Sequence, residues 1–246
     1  MVLFITGGSR GIGKSVVLRA VQEGWDVAFT YKSSKAAADE TVRSAAQIAP
    51  DRVCMAYQLD VRNANDVEHV VDRAADDLGT IDSVVCNAGI VKDNLAFSMS
   101  NEEWQEVIDT NLTGAFYTIR QTLPIFLANK RGKFVLVSSI AKDGQAGQAN
   151  YSASKAGMVG LSAAIAKEYG AKGVTSNVVA PGLFETDMIV DTVSDAAKEF
   201  WIQHCPLRRI GSLDELSDVI LFLASNKSSF VNGQVIPVTG GLDRLT

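Results

Sequence analysis

Tyr151 and Lys155 stand four residues apart in the run Tyr151-Ser152-Ala153-Ser154-Lys155. On a helix the two side chains share one face. A lysine ammonium about 4 Å from a phenol favours the phenolate by up to roughly 4 kcal/mol at an effective dielectric near 20. That is about three pKa units, enough to make a tyrosine a general acid and base near working pH. The same spacing recurs at Tyr31 and Lys35, and context separates the two pairs. Ser138 lies thirteen residues before Tyr151, at the end of an apolar run, whereas the residue at that distance before Tyr31 is Leu18. A serine hydroxyl aimed at a carbonyl stabilises the negative charge that grows there as a hydride arrives. Ser138, Tyr151 and Lys155 are therefore the candidate catalytic group.

A second chemistry-bearing stretch is Thr6-Gly7-Gly8-Ser9-Arg10-Gly11-Ile12-Gly13, which follows a short apolar run and opens a helical pattern. Glycines let backbone N–H groups approach a pyrophosphate where the helix dipole favours anions. The spacing G-x-x-x-G-x-G differs from the G-x-G-x-x-G dinucleotide fingerprint. Gly8 through Ser15 also matches a triphosphate loop formally, with Lys14 and Ser15 closing it, but no later strand ends in a magnesium-holding acid other than Asp60. The second apolar run ends Thr30-Tyr31-Lys32 without a carboxylate. An acid there would bind a ribose 2′-hydroxyl and repel a 2′-phosphate, so Lys32 together with Arg10 favours NADP(H).

The elements that must position these residues alternate along the chain. Apolar runs at Val2–Thr6, Val27–Tyr31, Arg52–Gln58, Ser83–Cys86, Lys133–Ser139, Thr175–Val179 and Gln234–Val238 read as strands. Helical patterns fall at Gly11–Glu23, Lys35–Ala49, Ala64–Leu78, Asn101–Asn129, Asn150–Lys172 and Leu213–Ala224. Continuously apolar strands alternating with helices predict an α/β fold, a doubly wound seven-stranded parallel sheet covered on both faces. No linker or repeat divides the 246 residues, so one domain over 1–246 is expected. The stretch Pro181–Pro206 breaks the rhythm and is expected to cover a substrate, over about 183–206.

Composition excludes several classes. A net charge of −5 provides no global field for nucleic acid or anionic lipid. Cys54, Cys86 and Cys205 form no C-x-x-C, and His69 and His204 are the only histidines, which disfavours a metal site or a histidine triad. Adjacent His204 and Cys205 read as packing. Met1–Ile5 is too short for a signal peptide, and Ala156–Ala166 falls well below the roughly 20 residues of a membrane span, so a soluble cytoplasmic protein is expected.

Taken together, Thr6-Gly7-x-x-x-Gly11-x-Gly13, Asp60-Val61, Asn87-Ala88-Gly89, Asn111, Ser138, Tyr151-x-x-x-Lys155 and Pro181-Gly182 with Thr186 resemble the short-chain dehydrogenase/reductase family over the full chain. The resemblance implies a Rossmann fold and a cofactor site of Gly7, Ser9, Arg10, Gly11, Ile12, Gly13 and Lys32. Asp60 and Val61 would flank the adenine, Asn87, Ala88 and Gly89 would line the cofactor, and Pro181, Gly182, Phe184 and Thr186 would cover the nicotinamide. It also implies that Tyr151 and Lys155 touch the cofactor and that Asn111 holds a proton-relaying water. Gly89 through Asn94, Gly147 through Tyr151 and Ala180 through Met188 are similar to bacterial reductases of 3-oxoacyl groups carried on acyl carrier protein. That similarity implies an acidic carrier as partner, for which Lys130-Arg131-Gly132-Lys133 and Lys172 are candidate contacts, and a homotetramer. Reduction of acetoacetyl-coenzyme A or another ketone, and a non-catalytic NADP sensor, are the alternatives.

Overall fold

The apolar runs pair side by side, all parallel, in the order β3-β2-β1-β4-β5-β6-β7. The computed structural model describes residues 1–185 and 195–242. Its strands are β1 (Val2–Ile5), β2 (Asp26–Tyr31), β3 (Cys54–Gln58), β4 (Ser83–Cys86), β5 (Gly132–Val137), β6 (Val174–Pro181) and β7 (Val235–Val238). The helices among the described residues are α1 (Gly11–Gln22), α2 (Lys35–Ile48), α3 (Ala64–Leu78), α4 (Asn101–Ile108), α5 (Gly114–Asn129), α6 (Ala149–Tyr169), α7 (Asp195–His204) and α8 (Leu213–Ala224). The doubly wound parallel sheet is thus as the alternation of patterns predicts.

Two apolar layers hold it. On one face Val16, Val17, Leu216 and Ile220 from α1 and α8 cover Leu3, Val85 and Val135. On the other, Val67, Ile119, Phe126 and Met158 from α3, α5 and α6 cover Phe4, Val84 and Phe134. Strand order reverses between β1 and β4, the switch point where a crevice lies outside the carboxyl ends of the strands. Open α/β sheets bind ligands at such a crevice.

Local chemistry sets the helix ends. Asn63 accepts from the N–H groups of Asn65 and Asp66 to start α3, and Gly79 ends it at φ +78°. Ser100 with Glu103, and Ser212 with Glu215, form reciprocal capping boxes on α4 and α8.

Three boundaries differ from the sequence expectation. The single helix expected over Asn101–Asn129 is interrupted by a π turn at Asp109–Thr113, closed by the Gly114 N–H on the Asp109 carbonyl. Strand β6 runs on through Ala180 and Pro181, paired with Pro237 and Val238 of the edge strand β7. Pro181 is tolerated as the last strand residue, where the next N–H, that of Gly182, resumes the ladder on the Val238 carbonyl. The run Lys133–Ser139 ends as a strand at Val137.

Gly132 shows how tightly β5 meets α5: a Cβ there would lie 2.0 Å from Phe126 Cδ2, in a ring that is fully buried. Gly132→Ala is expected to cost about 1–3 kcal/mol by overpacking, read as a lower urea midpoint with an unchanged slope.

Candidate active site

Lys155 and the end of β5 are stapled to each other. The Lys155 ammonium donates to the Val137 carbonyl at 2.7 Å, and the Ser138 hydroxyl donates to the Lys155 carbonyl at 2.8 Å. This corrects the expectation for Ser138. Its hydroxyl is buried and spent on the α6 backbone, so it does not face Tyr151. The neighbouring Ser139 does: its hydroxyl lies in hydrogen-bonding reach of the Tyr151 phenol and also accepts the Ala141 N–H at 3.1 Å. Successive residues of extended chain face opposite sides, so one residue decides which hydroxyl enters the site.

The Tyr151 phenol is pushed above its ordinary value by burial, against which the Ser139 hydrogen bond works; the charge of Asp93 adds to the rise. Lys155 Nζ lies over the Tyr151 ring, 5.4 Å from its centroid. Burial pushes the lysine down to about 8, with Cys86 beside it acting in the opposite direction.

Asn111 sits in the π turn, fully buried. Both of its amide donors are in use, on the Ile90 carbonyl at 3.0 Å and Ser154 Oγ at 3.1 Å, while its Oδ1 accepts the Ile90 N–H at 2.8 Å. The side chain therefore fastens the loop after β4 to α6. Ser154 in turn donates to the Tyr151 carbonyl at 2.7 Å. Asn150 donates to the Lys92 and Glu103 carbonyls and accepts the Tyr151 N–H. These two residues entered the sequence reading only as letters in motifs. Their long-range partners lie 43 to 58 residues away, and no local pattern signals such contacts.

At the crevice the glycine loop is pinned from both sides. Thr6 Oγ1 accepts the N–H groups of Asn87 and Ala88, and Asn87 Nδ2 donates to the Thr6 and Gly7 carbonyls. Gly7 is at φ +73°, and a Cβ on Gly13 would lie 2.0 Å from the Gly7 oxygen. The first turn of α1 has no side-chain cap. A Cβ on Gly89 would lie 3.2 Å from Asn111 Oδ1 and 3.6 Å from Lys155 Nζ. A glycine-lined cradle, uncapped helix N–H groups and a buried ammonium with one carbonyl partner fit a dinucleotide. The triphosphate reading has no such support: Lys14 pairs with Glu40 at 2.7 Å, and Ser15 turns to Ser217 on α8.

Lys32 is exposed at the end of β2, but its ammonium lies 3.1 Å from Asp60 Oδ2. Asp60 is held well below the usual carboxylate range, first by Arg62 and then by Lys32. Arg62 continues to Glu106 at 3.5 Å, and Glu106 meets Lys92. Val61 packs on Gly114 at the start of α5, where a Cβ would lie 2.6 Å from its Cγ2.

The Phe184 ring is buried in the core and covers Gly211. Ser9 and Arg10 lie on the loop after β1 and Gly11 and Ile12 open α1, while Pro181 ends β6 and Gly182 follows it; Thr186 lies outside the described residues. His204 stacks on Phe200 at 4.0 Å, and the buried Cys205 points at the Gly240 carbonyl, so both are packing residues.

Comparison with known proteins agrees with this geometry. A family model described as enoyl-(acyl carrier protein) reductase matches residues 7–243. The chain belongs to the short-chain dehydrogenase/reductase family. It is 39% identical over 239 residues to the 3-oxoacyl-(acyl-carrier-protein) reductase FabG of Staphylococcus aureus, covering 97% of this chain and 96% of that one. It is 40% identical over 242 residues to the enzyme of the same name from Thermotoga maritima, covering 98% and 97%. Levodione reductase superposes with a TM-score of 0.94 at 32% identity, covering 98% of this chain and 97% of that one.

The buried Lys155 has a measurable cost. Below pH 8 it is charged in both folded and unfolded chains, and its desolvation penalty stands in full. Between about 8 and the ordinary 10.5 the folded protein releases the proton first, so this site's contribution to stability rises with pH. Lys155→Met is expected to be about 1–3 kcal/mol more stable than wild type at pH 7, with the gap narrowing by pH 10, in urea titrations at both pH values.

Proposed function

We propose that the protein reduces a 3-oxoacyl thioester, carried on acyl carrier protein, to the 3-hydroxyacyl thioester with NADPH. The observation that carries this reading is the Tyr151 phenol flanked by Ser139 and the buried Lys155, in a chain of this family. The relatives named above for 3-oxoacyl-(acyl-carrier-protein) reduction support the substrate class. NADPH is supported by a β2 end that carries Lys32 and no carboxylate.

NADPH supplies the hydride. Ser139 and Tyr151 donate hydrogen bonds to the ketone oxygen, where charge develops, and Tyr151 gives its proton to that oxygen. Lys155, beneath the ring, stabilises the phenolate that remains. Asn111 and Ser154 act one step back: they hold the turn of α6 that carries the phenol. The resting phenol is protonated because burial raises it, which is the form reduction requires.

Lys130, Arg131 and Lys172 meet at the end of the sheet opposite Tyr151, where the Gly132 N–H donates to the Gly173 carbonyl. Arg131 is paired there with Asp82. A homotetramer is supported by large apolar side chains left exposed on α4, α5 and α8, among them Trp104, Phe116, Leu127 and Phe222. No helix among the described residues is long and apolar enough to cross a membrane.

The test is NADPH oxidation with acetoacetyl thioesters on carrier protein and on coenzyme A, with NADH and a crotonyl thioester in parallel. Fastest turnover with NADPH and the carrier-bound ketone is expected; turnover of the crotonyl thioester alone would move the reading to enoyl reduction. Tyr151→Phe is expected to lose at least about a hundredfold in kcat with NADPH binding kept. Ser139→Ala is expected to lose about a hundredfold in kcat, whereas Ser138→Ala keeps kcat within a few-fold and loses about 1 kcal/mol of stability. Equal losses of activity in the two serine variants would overturn their assignment.

A further inference from the structure

Residues 90–94 form one wall beside Tyr151, and each end of that loop is fixed. Asn111 holds Ile90 through both backbone groups, and Asn150 holds the Lys92 carbonyl. Asn94 bridges to Gln148 in parallel register, its N–H on the Gly147 carbonyl at 2.8 Å. Within this wall Asp93 is exposed, and both its carboxylate oxygens accept from Gln148 Nε2 at 3.0 Å. Gln148 immediately precedes α6, so the carboxylate is fixed at the head of the helix that carries Tyr151.

Gln148 is a neutral partner. It fixes the carboxylate without cancelling its charge. The nearby cations are engaged elsewhere: Lys92 with Glu106, Lys142 with Asp143, and Lys155 buried on the Val137 carbonyl. Among the described residues Asp93 has no ion pair, and its field reaches the phenol, adding to the rise noted above. A fixed negative charge beside the proton donor lowers affinity for a substrate that brings a second one.

We propose that Asp93, held by Gln148, is a specificity residue that rejects 3-oxo acids with a free carboxylate and admits neutral esters and thioesters. This rests on the ketone-reducing function proposed above. It goes further by naming the charge the site selects and the side chain that selects it. Discrimination of this kind suits an enzyme whose thioester substrates hydrolyse to the corresponding acids.

The test uses two substrates of one acyl skeleton, ethyl acetoacetate and acetoacetate, with NADPH in excess. For each, kcat/KM is measured on the wild type, Asp93→Asn and Asp93→Ser; where acetoacetate turns over too slowly, its inhibition constant against the ester is measured instead. Both variants are expected to improve the acid about ten-fold relative to the ester, the order expected when one like charge is removed from a partly solvated site. The ester itself should stay within about two-fold, and the melting temperature checks that each variant is folded. An unchanged ratio in a folded variant overturns the role of Asp93. A wild type that reduces neither the ester nor an acetoacetyl thioester overturns the ketone-reducing reading beneath it.

Discussion

The reciprocal staple between β5 and α6 is the interaction on which the site depends. A lysine side chain bonds the strand's last carbonyl, and a serine from the strand's continuation bonds the lysine's own carbonyl. This pair fixes both the rotation of α6 about its axis and its height along the sheet. Rotation decides where Tyr151 points, and height decides that Ser139, one residue beyond the staple, meets the phenol. A buried ammonium with so few partners is a poor structural device on energetic grounds, because a neutral side chain of similar length would be cheaper to desolvate. Its retention is explained by the site rather than by the fold.

The candidate catalytic side chains rest on a second tier of amides. Asn87, Asn111, Asn150 and Gln148 each bind backbone or carboxylate groups far away in sequence, and together they join the loops after β1 and β4 to the π turn and the start of α6. Amides suit this task because each carries donors and an acceptor on one planar group, so a single side chain can satisfy two strands of irregular backbone. Loops in a crevice otherwise leave polar backbone atoms without partners. The same contacts make the walls of the site rigid while the chain between them stays irregular.

The parallel sheet was readable from its apolar runs because burial on both faces leaves a simple compositional mark. So was the glycine loop, whose spacing reflects close backbone approach. The face of a residue was harder to read. Counting back from Tyr151 lands on Ser138, yet the strand's alternation turns that hydroxyl into the packing and presents Ser139 instead. Phe184 sits in a motif associated with the cofactor, but its ring is core. The Lys155–Tyr151 spacing pointed to the pair, but not to the carbonyl on another element that holds the ammonium, nor to the burial that dominates both groups. In each case the motif located the neighbourhood, and a long-range hydrogen bond or packing contact fixed the orientation.

One feature of the chain after β6 bears on how such a protein diversifies. Phe184 and Gly211 lie side by side in an isolated parallel bridge, with Gly211 N–H on the Leu183 carbonyl and Glu185 N–H on the Gly211 carbonyl. The two residues close onto each other just ahead of the capping box that starts α8. A segment whose ends adjoin can change in length between them without pulling on the sheet, provided Cys205 and Leu207 keep their hold on the Gly240 carbonyl. Evolution or engineering can therefore rewrite this stretch while the glycine cradle and Tyr151 remain in place.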